Sequence, residues 1–147
     1  MTEGKKHQGT YIGMPEGLWL HEFGSVVWDA YGHPPYLVGS ALRTTDYRDV
    51  DVRLLLPDEE YAAMFPGCDP KQPNWNGKWS AHVRAFSELG RRMTGLRIDF
   101  QIQQQTQANL DYPESRSALG FIGLRMAPLL AADDADEKEK QVESESV

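Results

Sequence analysis

Two aspartates one residue apart, Asp49 and Asp51, have the type and spacing that best predict a chemical site in this sequence. They belong to a stretch that alternates between polar and apolar residues, so their side chains are predicted to project from one face of a strand. A third acid, Asp99, lies between Ile98 and Phe100 in another alternating stretch. Carboxylate oxygens are the ligands that Mg²⁺ prefers. The three acids therefore predict a metal site, provided that the two strands are neighbours.

A glycine and a serine precede the paired acids and complete a recognisable pattern. Val38–Ser40 ends a short apolar run, Arg43 follows it, and Asp49–Val52 opens the next strand. This order resembles the nucleotidyltransferase superfamily, the fold shared by DNA polymerase beta, the aminoglycoside nucleotidyltransferases and the small "minimal" nucleotidyltransferases. Asp99 is similar in context to the third acid of that family. The resemblance covers about residues 15 to 105.

The resemblance implies a metal-dependent transfer of a nucleoside monophosphate from a nucleoside triphosphate to an acceptor hydroxyl. Such a reaction needs the triphosphate neutralised and held in line with its attacker, which two magnesium ions achieve. The resemblance leaves the acceptor unknown: a small molecule, a protein and RNA are all compatible with it. The implied metal ligands are Asp49, Asp51 and Asp99, with Asp99 alternatively a general base, and the implied nucleotide-binding residues are Gly39, Ser40 and Arg43.

Two alternatives stay open at this point. The eight residues between Ser40 and Asp49 are fewer than the family's usual spacer, which favours a catalytically inactive binding protein or scaffold of the same fold. The short chain also leaves little room for an acceptor-binding domain, so a homo-oligomer or a macromolecular partner is expected to supply that surface. The plainer alternative is a generic α+β domain whose acids are surface decoration.

The surrounding pattern predicts an α/β (α+β) domain with one small mixed sheet packed against helices. A helix is predicted after Pro15 and ends near Gly32, and a second helix begins with Ser80 as its cap and ends at Gly95. The apolar face of the first helix is predicted to comprise Trp19, Phe23, Val26, Val27 and Ala30. Strands are predicted at residues 36–38, 49–55 and 96–103. Residues 118–130 fit a strand or a helix equally well.

Composition and charge define the extent of the domain. The 147 residues, 40% of them hydrophobic, suit one domain, predicted to span residues 10–130 after a flexible N-terminus of residues 1–9. Residues 131–147 hold seven acids against two lysines and are predicted to be a disordered tail, so the net charge of −7 describes mainly that tail. The apolar runs are too short to cross a membrane, and no secretory signal is visible, which favours a cytoplasmic location.

Other candidate sites are weaker. Cys68 has no second cysteine to pair with, and His21–Glu22 lacks the second histidine of a zinc-protease motif. Trp75 is a candidate for stacking on a base, although Trp75 or Trp79 is better interpreted as covering one end of the core. Alternate glutamines from Gln101 to Gln107 would extend the Asp99 face if that strand continued, and a solvated edge is the simpler interpretation.

Overall fold

The computed structural model describes residues 11–111 and 115–120. Within them the chain forms α1 (Glu16–Tyr31), β1 (Tyr36–Val38), β2 (Val50–Leu56), α2 (Asp58–Met64), α3 (Gly77–Thr94), β3 (Ile98–Gln104), α4 (Gln105–Asp111) and β4 (Ser117–Ala118). The predicted α+β class with one small mixed sheet is confirmed. The predicted flexible N-terminus, the acidic tail and most of the ambiguous stretch 118–130 lie outside the described residues.

The four strands form one sheet in the order β3-β2-β1-β4. β1 runs antiparallel to both β2 and β4, whereas β2 and β3 are parallel. A parallel pair needs a long crossover, which α2 and α3 supply between β2 and β3. The register places Val38 opposite Asp51 and Asp51 opposite Asp99. Strand pairing therefore brings Asp51 and Asp99 together beside the end of β1.

One face of the sheet is apolar and carries the core. Its central side chains are fully buried: Val50, Val52 and Leu54 from β2, and Ile98, Phe100 and Ile102 from β3. The rings of Phe23 in α1 and Phe86 in α3 pack on the ring of Phe100 at centroid distances of 6.1 and 5.7 Å. Because alternate strand residues point to opposite faces, this packing leaves Asp51, Arg53 and Asp99 on the other face.

The first helix is confirmed, but its predicted buried face is wrong in part. Phe23 and Val27 are fully buried, whereas Trp19 and Val26 are 39% and 38% exposed. Ala30 is also exposed. The buried stripe instead follows Leu20, Phe23, Gly24 and Val27. Because a glycine carries no hydropathy signal, the sequence pattern does not mark Gly24 as part of the buried face. The chain packs closely at Gly24, so the buried face differs from the stripe of the most apolar residues.

The second long helix begins earlier than predicted. Asn76, not Ser80, caps α3, because the Asn76 side-chain oxygen accepts a hydrogen bond of 2.9 Å from the backbone amide of Trp79. The Ser80 hydroxyl instead donates to the carbonyl of Asn74. The predicted end is confirmed, since Gly95 terminates α3 in the left-handed conformation with φ of +73°.

The outer edge of β3 is bonded to side chains of α3. The Ser87 hydroxyl accepts from the amide of Phe100 at 3.0 Å and lies 3.3 Å from the carbonyl of the same residue. The indole of Trp79 donates to the carbonyl of Ile102 at 2.8 Å. The guanidinium of Arg91 donates to the carbonyl of Ile98 at 3.1 Å. These bonds fix the backbone on either side of Asp99.

The two tryptophans near the start of α3 differ in burial, and the polar face of β3 is short. Trp79 is buried and covers part of the core, whereas Trp75 is 83% exposed. β3 ends at Gln104, and the next residues form α4, so Gln105 and Gln107 do not extend the strand face. Among the described residues, no helix is both long and apolar enough to cross a membrane.

Candidate functional site

The centre of the candidate site is the pair of carboxyl groups of Asp51 and Asp99. The two residues are register partners on the parallel strands β2 and β3, and their side chains are within hydrogen-bonding reach of each other. Their side chains are 27% and 41% exposed, so both remain accessible from the open face of the sheet. The structure thus brings together two of the three acids that the sequence singled out.

Burial and neighbouring charge raise the pKa of Asp51. Partial burial is the largest cause, and the carboxylates of Asp99 and Asp49 add to it, whereas the guanidinium of Arg53 opposes it. A negative charge on Asp51 is therefore only partly compensated in this structure. A cation bound at the pair would stabilise the ionised form of Asp51, because a nearby opposite charge favours the ionised form of a carboxyl group.

Arg53 lies beside both carboxyl groups. It is two residues after Asp51 on β2 and therefore on the same face of the sheet. One terminal nitrogen, Nη2, lies 3.4 Å from Oδ2 of Asp99 and 3.6 Å from Oδ1 of Asp51. The other, Nη1, donates to the backbone carbonyl of Asp99 at 2.6 Å. The Arg53 side chain is only 14% exposed, so the chain holds a positive charge against the pair.

Gly39 forms the turn that approaches Asp51. It has φ of +81°, a conformation that favours glycine, and a Cβ atom at this position would overlap Oδ2 of Asp51. Ser40 follows in a 3₁₀ turn, Gly39–Leu42, in which its carbonyl accepts from the amides of Arg43 and Thr44 at 2.9 Å. The glycine turn predicted from the sequence therefore lies directly against the carboxyl pair.

A cavity of about 300 Å³ opens beside Asp51. Val38, Gly39 and Leu55 supply its apolar and backbone walls. Its polar walls come from Arg43, Asp51, Arg53, Gln103, Ser115 and Arg116. Among the described lining residues, three arginines and one aspartate give an excess of positive charge. A ligand with several negative charges is the chemistry that such a lining favours.

Asp49 lies outside this cavity. It precedes β2, and its carboxylate pairs with the guanidinium of Arg97 at an N–O distance of 3.1 Å. Asp49, Arg97 and Asp99 line a second cavity of about 420 Å³, together with Arg91 and Ile98. Asp51 lines the first cavity and Asp99 the second, so the carboxyl pair lies between them.

The residues of the pair fit a divalent cation in their chemistry. Asp51 and Asp99 would hold it, since both offer hard oxygen ligands on the same face of the sheet. Within residues 11–111 and 115–120, no group of three or more His, Cys, Asp or Glu side chains is arranged to hold a metal ion. The three-carboxylate ligand set that includes Asp49 stays a prediction.

Comparisons with protein-family models, with curated proteins and with solved structures find no match to this chain. The nucleotidyltransferase resemblance therefore rests on the sequence pattern alone.

Sequence reasoning missed two residues of the site, Arg53 and Arg116. The alternation of β2 already placed Arg53 on the polar face with Asp51, so a signal for it was present. Arg116 precedes the two-residue strand β4, and its guanidinium donates to the side chain of Asn109 at 3.0 Å. The pairing of β4 with β1 places it near the end of β1, and no local pattern predicts that pairing.

Proposed function

We propose that this chain binds a nucleoside triphosphate at the carboxyl pair and transfers its nucleoside monophosphate to an acceptor hydroxyl. The observation that carries the proposal is the contact of three elements: Asp51 and Asp99 in register on parallel strands, with the Gly39 turn against Asp51. A glycine turn lets phosphate oxygens approach the backbone beside acids that bind cations. This combination suits a polyphosphate ligand better than a neutral one.

The arginine-lined cavity supports the same proposal from its charge. Arg43, Arg53 and Arg116 converge on a space of about 300 Å³ from three separate segments. A guanidinium binds phosphate oxygens through several donors and keeps its charge at any physiological pH. In this proposal the triphosphate lies in this cavity, with its α-phosphorus towards Asp51.

The second cavity supplies a place for the acceptor. In the transfer, the acceptor oxygen forms a bond to the α-phosphorus, the bond to the pyrophosphate breaks, and the acceptor proton must be removed. Asp99 lines this second cavity and is assigned the role of proton acceptor or of cation ligand. When bound at the pair, magnesium supplies charge neutralisation of the phosphate groups.

One observation favours a second candidate function, a nucleotide-binding protein without transfer. Arg53 already lies between the cavity and the two carboxyl groups, at the place where a cation would be held. A protein that keeps this arrangement in every state would bind a polyanion through its arginines and would not catalyse transfer.

Thermal unfolding with each nucleoside triphosphate, with and without magnesium, tests the proposal. A ligand present at 100 times its dissociation constant stabilises the fold by about 2.7 kcal/mol, which is readily measured. We expect stabilisation by one triphosphate in the presence of magnesium, and its loss in the double variant Asp51→Asn/Asp99→Asn. Glu59→Gln, an exposed carboxylate of α2, is the matched control and should respond as the wild type does.

Transfer is then followed with the same triphosphate labelled at its α-phosphorus. Label that becomes attached to the protein or to an added acceptor supports the enzyme. Stabilisation without transfer under any acceptor tested supports the binding protein. If no triphosphate stabilises the wild type, the proposal is wrong in both forms.

A further inference from the structure

The contacts of Arg53 divide into a strong set and a weak set. Nη1 is anchored to backbone carbonyls, at 2.6 Å from that of Asp99 and 3.1 Å from that of Val52. The carboxylate contacts of Nη2 are longer, 3.4 Å to Asp99 and 3.6 Å to Asp51. Charge-assisted hydrogen bonds of this kind usually measure about 2.7 to 2.9 Å. The guanidinium therefore compensates part of the charge of the carboxyl pair without being tightly bonded to it.

The same side chain also lines the arginine-rich cavity, beside Arg43 and Arg116. The guanidinium thus has two carboxyl groups on one side and two further arginines on the other. With the cavity free of anions, the carboxyl groups attract the guanidinium and the arginines repel it. A polyphosphate in the cavity would reverse this balance by adding negative charge on the arginine side.

We propose, on the basis of the proposed function, that Arg53 acts as a resident cation. Its guanidinium occupies the carboxyl pair in the nucleotide-free protein, and a divalent cation displaces it only once a polyphosphate is bound. In the nucleotide-free protein Arg53 keeps the affinity for free divalent cations low. When the triphosphate arrives, the guanidinium keeps its charge, pairs with the phosphate groups instead of the carboxyl pair, and exposes the carboxylate oxygens to the metal. Polyphosphate and metal then bind with positive coupling, and the coupling is reciprocal.

The test measures Mn²⁺ binding by isothermal titration calorimetry in the absence of any nucleotide. Arg53→Gln should bind Mn²⁺ at least about tenfold more tightly than the wild type, because a unit positive charge a few ångströms from the metal is removed. Arg53→Lys keeps the charge and should stay near the wild-type affinity. Arg48→Gln, which removes an exposed arginine just before β2, is the matched control and should leave the affinity unchanged.

The added variant Asp51→Asn/Arg53→Gln locates the bound metal. It should lose the gain in affinity, because one of the two carboxylates is gone. Equal Mn²⁺ affinity of wild type and Arg53→Gln would overturn the inference, as would a gain that survives in the double variant. Arg53→Met, closer to arginine in length, takes the place of Arg53→Gln in the same comparison if the glutamine variant does not fold.

A measurement on the wild type gives an independent answer. The guanidinium nitrogens of Arg53, assigned by their loss in Arg53→Lys, should shift in the nuclear magnetic resonance spectrum when magnesium and a non-hydrolysable triphosphate are added together. Unchanged resonances under saturating ligand would overturn the inference. If no triphosphate binds but Arg53→Gln still gains Mn²⁺ affinity, the proposed function fails while the role of Arg53 as resident cation holds.

Discussion

Gly39 approaches the carboxyl group of Asp51 so closely that a Cβ atom on Gly39 would overlap its Oδ2. The turn after β1 and the acid of β2 therefore constrain each other. Any side chain at position 39 must displace Asp51, the turn, or both. Through this contact the predicted phosphate-binding turn lies directly against the carboxyl pair.

Gly39→Ala should destabilise the fold and remove the response to nucleotide. Gly32 has the same φ of +81° but has no atom within 4 Å of its Cβ position, so Gly32→Ala reports the conformational cost alone. That cost is about 1 to 2 kcal/mol. Urea unfolding should give a larger loss for Gly39→Ala than for Gly32→Ala. An equal decrease in the free energy of unfolding for the two variants would show that the contact with Asp51 does not affect stability.

The raised pKa of Asp51 predicts how stability depends on pH. The folded state holds the proton of Asp51 more tightly than the unfolded state, in which an aspartate has a pKa of about 3.9. This group therefore stabilises the fold least when ionised, and its contribution falls as pH rises from about 3.9 through the raised folded pKa. Asp51→Asn should remove this decline, and Asp99→Asn should reduce it by removing a like charge.

Denaturant unfolding between acid and neutral pH measures this effect. We expect Asp51→Asn to be more stable than the wild type at neutral pH, with the difference shrinking towards acid pH. A difference that stays constant across the pH range would contradict the assigned cause of the pKa shift.

Ser87→Ala should weaken the anchoring of β3. The variant removes the partner of the buried amide of Phe100 and of its carbonyl, at a cost of about 1 to 3 kcal/mol for a buried unsatisfied group. Ser80→Ala on the same helix is the control, because the Ser80 hydroxyl bonds an exposed carbonyl. Guanidinium unfolding should separate the two. A loss in Ser80→Ala as large as in Ser87→Ala would contradict the assigned role.

Gly24→Ala should displace the segment that carries Arg116. A Cβ atom there would lie 2.5 Å from Cβ of Leu119 and 2.8 Å from the amide nitrogen of Gly120. Overpacking of this kind costs about 1 to 3 kcal/mol. Gly17→Ala, also in α1, meets nothing closer than 3.5 Å and should be neutral or stabilising. Thermal unfolding and binding of inorganic tripolyphosphate should both be impaired in Gly24→Ala and unimpaired in Gly17→Ala.

The sequence was sufficient for the elements whose periodicity is set by a buried sheet face. β2 and β3 alternate because Val52 and Phe100 face α1 and α3 while Asp51 and Asp99 face away, and this alternation is visible in the residue order. The end of α3 was predictable as well, because Gly95 meets a local backbone requirement.

Features that depend on distant contacts were not predictable. α2 and α4 are joined by the carboxylate of Asp58, which accepts from the hydroxyl and amide of Thr106 at 2.6 and 3.1 Å. These residues are far apart in the chain, so no local pattern indicates their contact. The ion pair between Asp49 and Arg97 was not predictable either. Alternation alone places Asp49 on the same face as Asp51 and does not identify its ion-pair partner.

The bonds between α3 and β3 also affect how copies of the protein associate. They are made by the side chains of Trp79, Ser87 and Arg91. A strand with unbonded amides and carbonyls at a sheet edge accepts strands from other molecules, which leads to shared sheets or aggregation. Here the carbonyls of Ile98, Phe100 and Ile102 are already occupied by α3. At the opposite edge of the described sheet lies β4, with two residues. Among the described residues, α3 thus occupies the β3 edge, which opposes self-association by extension of the sheet through β3.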